Sequence, residues 1–143
     1  MVYNIFIDAD IILDVLLKRE EFYNESYEMF LLGEREKIKL YTSSSIILNV
    51  QYIGGKISDK KSCATTIKYL VEYFIDIINP SRKIILEAYS SNFTDVEDAV
   101  QYYTAKDSGI IDFLITRNTK DYKHILKSFP ALTRGQFLKQ HIR

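Results

Sequence analysis

Residues 3–17, YNIFIDADIILDVLL, constrain this chain more than any other stretch. Apart from Asn4, Tyr3 to Ile7 is an unbroken apolar run of β-branched and aromatic side chains, the pattern of a strand buried on both faces. The run stops at Asp8. An ionised carboxylate buried at the end of such a strand is costly unless a cation, a hydrogen-bond donor or solvent compensates it. Asp10 then offers N-cap chemistry for a helix whose apolar face is Ile11, Ile12, Val15 and Leu16. Strand, acid and helix form the unit of an open α/β fold. In such folds ligands bind at the carboxyl ends of the strands, where Asp8 stands.

The rest of the chain alternates the same two signals. Phe22, Tyr23, Tyr27, Phe30 and Leu31 recur at helical spacing and predict a second amphipathic helix ending at Gly33. Ile38 to Tyr41 is a short strand, and the serines at 43, 44 and 45 offer N-caps for a helix over SIILNVQYI that Gly54 and Gly55 should end. Asp59 can cap a helix that places Ala64, Ile67, Leu70, Val71 and Phe74 on one face. FIDII before Asn79-Pro80 reads as a third strand, and Pro80 and Ser81 open a short helix over RKIILEAYSS. In TDVEDAVQYYTAKDSG, Thr94 and Glu97 have capping-box spacing, Asp95 suits the positive end of the helix dipole, and Gly109 closes the segment. Ile110 to Ile115 then forms a fourth strand, ending at Thr116 before the polar loop RNTKDY. A fifth strand near Phe129 to Leu132 and a helix from Arg134 to His141 complete the alternation. The expected fold is α/β, a three-layer α/β/α sandwich around a central parallel sheet of about five strands, in a single domain over residues 1–143.

Composition narrows the functional classes. The chain is 47% hydrophobic and 27% charged, and no apolar stretch reaches the roughly 20 residues that span a bilayer, so no membrane partner is expected. The N-terminus shows no secretory signal pattern, and a cytoplasmic location is expected. The single cysteine, Cys63, forms no internal disulfide, and with only His124 and His141 beside it there is no Cys/His zinc constellation. A metal here would have to be held by oxygen. Basic and acidic residues balance at 19 each, so a nucleic-acid partner would depend on a local basic patch and not on net charge.

Three places combine a strand end or helix start with acidic or amide side chains: Asp8 with Asp10, Asp95 with Glu97 and Asp98, and Asn118 with Asp121. Right-handed crossovers bring the carboxyl ends of all parallel strands to one edge, so these groups can meet. Converging carboxylates repel unless a hard divalent cation such as Mg²⁺ or Mn²⁺ neutralises them. Such a cation can acidify water and offset the charge of a phosphate under attack, which makes phosphodiester hydrolysis the natural reading.

The segments IFIDADIILDVLL, EDAVQYYTAKDSG and FLITRNTKDY, in that order, resemble the PIN-domain ribonucleases, a family that includes the VapC-type toxins of bacterial toxin–antitoxin pairs. The resemblance covers essentially the whole chain. It implies that Asp8 is the first catalytic acid, followed by Ala9 and Asp10 where the family usually has Thr or Ser and then Asn or Asp. It implies that Asp98 is the acid of the third motif and that Asn118 and Asp121 fill the fourth. One position departs from the pattern: the helix after the second strand carries Asn49 where the family commonly has Glu. An amide is a neutral, weaker cation ligand, so the site has fewer negative charges for metal. The resemblance implies a Mg²⁺- or Mn²⁺-dependent endoribonuclease that leaves a 5′-phosphate. In it Asp8 and Asp98 bind metal, Asp121 completes the acidic pocket, and Asn49 and Asn118 position water or metal; apart from the resemblance, Glu97, which the capping box already explains, is a further candidate ligand. RNA, an antitoxin protein and a second copy of the chain are the partners it implies.

Each residue also has a plainer reading. Asp8 could be a turn residue and Asp10 a cap, Asp95 a dipole partner, and Asp14, Asp59 and Asp76 solvated or capping residues. Thr116 could end a strand while its hydroxyl steadies the next loop, Asn118 could permit a turn, and Asp121 could cap one. Arg117, Lys120, Lys123 and Lys127 could contact phosphates or form a solvated face, with His124 and His141 on the surface. The eleven tyrosines read as core and interface residues and not as a base-stacking platform, because none forms an RNA-binding motif. Two rival functions follow. Asp8-x-Asp10 with Thr116 is similar to haloacid-dehalogenase-like phosphatases, but too little chain follows Thr116 for their remaining parts. A PIN-like module that binds RNA or a protein without cleavage is the other, and Asn49 is its support.

Overall fold

The computed structural model describes residues 1–122 and 129–143, the side chain of Asp121 excepted, so Lys123, His124 and Lys127 lie outside the described residues. Strands β1 (Tyr3–Ile7), β2 (Ile38–Thr42), β3 (Ile75–Ile77), β4 (Phe113–Ile115) and β5 (Ala131–Leu132) form one sheet in the order β3-β2-β1-β4-β5. Every pairing is parallel, with Ile5 opposite both Leu40 and Phe113. The first strand is therefore central, and Ile5, Phe6 and Ile7 are fully buried, as an apolar run with no polar alternation requires. Helices α1 (Ala9–Leu16), α2 (Tyr23–Glu34), α3 (Ser44–Ile57), α4 (Lys60–Tyr73), α5 (Arg82–Tyr89), α6 (Val96–Asp107) and α7 (Arg134–Phe137) flank the sheet. The predicted parallel α/β architecture is observed. No helix of the described residues is long and apolar enough to cross a membrane.

Strand order reverses at β1. The chain steps from β1 to β2 to β3 on one side, then returns to place β4 and β5 on the other. The crevice outside the carboxyl ends of β1 and β4 is the topological switch point, where open α/β sheets bind their ligands.

Local chemistry explains where the elements differ from expectation. The fourth strand begins only at Phe113. Asp112 turns its carboxylate to accept the Asn4 N–H at 2.7 Å, and the Asn4 side chain donates to the Ile110 carbonyl at 2.9 Å. These side-chain bonds flank a single backbone bond, from the Asp112 N–H to the Asn4 carbonyl at 2.8 Å. Helix α3 runs through Gly54 and Gly55 to Ile57. Gly54 is there for proximity and not to stop the helix: a Cβ on it would come within 2.9 Å of Leu16 and 3.1 Å of Cys63, so the residue lets α1, α3 and α4 approach closely. Ser43, Asp59 and Ser81 cap α3, α4 and α5 as their sequence positions suggested. The last helix is split, α7 being followed by a π-type segment at Leu138–Ile142.

Asp14 is the largest departure. Expected as a solvated or capping residue, it is 0% exposed and lies among three guanidinium groups, Arg117 at 3.4 Å, Arg19 at 3.5 Å and Arg134 at 3.9 Å, while Ser26 donates to it at 3.1 Å. Arg117 and Arg134 both lie over the Phe22 ring, at 4.0 and 5.1 Å. The cluster ties α1, the start of α2, the loop after β4 and α7 together. Truncating one partner of a buried ion cluster leaves the others charged and unpaired. Asp14→Ala is therefore expected to lower the free energy of unfolding by about 3–5 kcal/mol, measured by urea denaturation.

Candidate active site

The mouth of the sheet is assembled from strand ends. Asp8 continues the β1 ladder by donating its N–H to the Ile115 carbonyl at 3.0 Å, which brings it beside the end of β4. One carboxylate oxygen, Oδ1, accepts the Ala9 N–H at 2.8 Å, and the other, Oδ2, accepts the Thr116 hydroxyl at 3.0 Å. Asp8, and not Asp10, is thus the N-cap of α1. Asp10 instead accepts the Arg117 backbone N–H at 2.8 Å. Thr116 Oγ1 in turn accepts the Asn118 N–H at 3.3 Å, so the hydroxyl steadies the loop as the sequence suggested. Arg117 is tied to the scaffold. Its guanidinium is turned towards Asp14 and Phe22.

Helix α6 enters from the side. Its N-cap is Asp95, whose carboxylate accepts the Asp98 N–H at 3.2 Å, and Thr94 does not cap it. The expected capping box is therefore replaced one residue on, and Glu97 is left without a capping role. Glu97 and Asp98 occupy the first turn, where the positive end of the helix dipole favours carboxylates. Asp8, Asn49, Glu97 and Asp98 line one cavity of about 380 Å³. Ser43 donates to Gln101 Oε1 at 2.8 Å and Gln101 Nε2 donates to Ser45 at 3.1 Å, joining α3 to α6 at the cavity wall. Sequence reasoning saw these serines only as caps and missed Gln101, whose signal was a polar side chain on the face of α6 that also carries buried Tyr102 and Ala105. Asn118 contributes no part of the cavity lining, and the Asp121 side chain lies outside the described residues.

The electrostatics are one-sided. Burial raises the Asp8 pKa above the ordinary carboxylate range, and the nearby Asp95 and Glu97 add to it, against the hydrogen bonds from Ala9 and Thr116. Asp10 is pushed up to about 6, by burial first and then by Asp8, with the Arg117 N–H opposing. Three carboxylates line the cavity and no Lys or Arg does among the described residues. Asp10 also keeps one buried oxygen, Oδ1, without a hydrogen bond. Among the described residues no three acidic, His or Cys side chains converge closely enough to enclose a metal by themselves. The donor set still suits a hard cation that keeps several waters, since Mg²⁺ is usually held by one or two carboxylates with substrate phosphates supplying the rest.

Comparison with known proteins places these residues in context. The PIN domain family model matches residues 4–120. Ribonuclease VapC1 of Aquifex aeolicus (strain VF5) is 32% identical over 123 residues, covering 82% of this chain and 83% of that protein. A chain in the crystal structure of VapBC2 from Rickettsia felis bound to a DNA fragment from their promoter superposes with a TM-score of 0.63 at 19% identity, over 92% of this chain and 97% of that one. At that identity the likeness speaks for the fold alone.

The raised Asp10 pKa has a stability consequence with a definite sign. The native state holds this proton more tightly than the unfolded chain, so the contribution is complete below about pH 4 and lost as pH rises through about 6. Relative to an Asp10→Asn variant, the wild type should lose up to about 3 kcal/mol of unfolding free energy between about pH 4 and pH 7. Paired denaturant titrations across that range, without divalent metal, measure the gap.

Proposed function

Since the chain belongs to the PIN-domain family, we propose that it is a metal-dependent endoribonuclease that hydrolyses RNA phosphodiester bonds as the toxin of a toxin–antitoxin pair. The observation that carries this reading is the convergence of Asp8, Glu97 and Asp98 on one cavity that no Lys or Arg lines among the described residues, at the point where strand order reverses. Kinship with Ribonuclease VapC1 supports RNA as the substrate; an antitoxin protein as the partner and a homodimer as the working assembly are proposed from the sequence resemblance to VapC-type toxins.

Asp8 and Asp98 are the proposed metal ligands, with Glu97 beside them and Asp121 completing the acidic pocket. When bound, Mg²⁺ or Mn²⁺ would offset phosphate charge and lower the pKa of water. The chain's own residues supply the rest. Thr116 holds one Asp8 oxygen by donating to it, which leaves the other lone pairs of the carboxylate directed by a fixed geometry. Asn49 and Asn118 are proposed to orient water or metal by hydrogen bonding. Asn49 is also the observation that favours the second reading, a PIN module that binds RNA or a protein partner without cutting.

Purified protein should cleave a mixed structured and single-stranded RNA with Mn²⁺ or Mg²⁺, stop in EDTA, and leave 5′-phosphate ends. Asp8→Asn with Asp98→Asn should reduce the rate more than about 100-fold, while Thr116→Val, which removes the bond that holds Asp8 and the one that holds the Asn118 N–H, should cost about 10- to 100-fold. Binding of RNA by the wild type with no cutting in either metal would favour the second reading. Asn49→Glu adds a negative ligand and should lower the Mn²⁺ concentration that gives half-maximal cleavage.

A further inference from the structure

The cavity that holds the carboxylates has a second, apolar wall to which the proposed chemistry gives no role. Ile85 and Tyr89, one helical turn apart on α5, and Val96 at the start of α6 line it together with Asp8, Glu97 and Asp98. Among the described residues, ten of the eleven tyrosines have another ring or a cation against them, including Tyr102 in a cluster with Phe93, Tyr122 and Phe129 and Tyr52 under Lys56. Tyr89 has none. It is 71% exposed, although its neighbour Ala88 is 2% exposed. The backbone beneath it is fixed all the same, because Ser91 bonds to the Ala88 carbonyl through both its hydroxyl, at 2.7 Å, and its N–H, at 3.2 Å.

A nucleotide presents a phosphate and a flat base joined by one sugar. The cavity presents carboxylates suited to a metal-bridged phosphate at one wall and an unoccupied aromatic face at the other. We propose that Tyr89, backed by Ile85, is the platform on which an unpaired base of the RNA stacks next to the cleaved phosphate, which makes single-stranded segments the substrate. The inference rests on the nuclease reading above and deepens it. A base still stacked within a duplex has no free face to offer, whereas base–aromatic stacking tolerates any of the four bases. The subsite therefore selects for unpaired structure and not for sequence. In this proposal Tyr89 is the exception to the reading of the tyrosines as core and interface residues.

The chain has no tryptophan, so Tyr89→Trp places a single reporter at the proposed platform. In Ca²⁺, with Mg²⁺ and Mn²⁺ withheld, a short single-stranded RNA of mixed sequence should quench that fluorescence. The same RNA annealed to its complement should not. By anisotropy of labelled RNA, Tyr89→Phe should bind within about twofold of the wild type, and Tyr89→Ala should bind about 5- to 150-fold more weakly, with a matching rise in KM for cleavage. Unchanged binding and KM in Tyr89→Ala, or unquenched Tyr89→Trp at saturating RNA, would overturn the platform while leaving the nuclease intact. Wild-type protein that neither binds nor cuts RNA would overturn both. The side chain is largely exposed, so circular dichroism of all three variants should match the wild type.

Discussion

A carboxylate with no solvent contact, Asp14, is the constraint on which the rest of the mouth depends. Removing it from water is tolerable only because Arg19, Arg117, Arg134 and Ser26 surround it, and each of those comes from a different part of the chain. Arg117 is the connecting member. Its side chain is held by Asp14 and Phe22, while its backbone N–H is held by Asp10. That fixes residue 117, and with it the Thr116 hydroxyl that orients Asp8. A buried ion cluster with no place at the cavity thus sets the position of the acid that lies at the cavity.

The arrangement separates two kinds of acid that look alike in sequence. Asp8, Asp10 and Asp14 lie within one strand end and two turns of helix. Asp14 is surrounded by guanidinium groups, Asp10 has one N–H and one distant guanidinium, and Asp8 has neutral donors alone. Positive charge therefore declines along the segment towards the cavity. Arginines neutralise the Asp14 end, and the Asp8 end is left with an excess of negative charge.

Most of the architecture was legible because it follows from periodicity. The Tyr3–Ile7 run, the serine and aspartate caps and the Gly109 stop at a φ of 73° each record a local requirement that the sequence states directly. Assigning each aspartate its task was less legible. Asp8 and Asp10 are both adequate caps, and the choice between them depends on Thr116 and Arg117, more than a hundred residues away. The burial of Asp14 depends on three arginines that only tertiary packing brings together. The move of the α6 cap from Thr94 to Asp95 shows the same limit at short range, since two capping residues in succession leave the register open. The open ring face of Tyr89 could not be read from spacing, because its position on α5 is equally compatible with burial.

The strand order also sets a schedule. Asp8 is made before the partners that complete its surroundings, Ile115 and Thr116, which follow 107 and 108 positions later. Until β4 is available to pair with β1, the acid has neither its ladder bond nor its hydroxyl donor. Contacts so distant in sequence close late, and domains emerge from the ribosome from the N-terminus onwards. The central strand is the first of the five in chain order and among the last to be fully paired, so the acid at its end is completed only once the last third of the domain is in place.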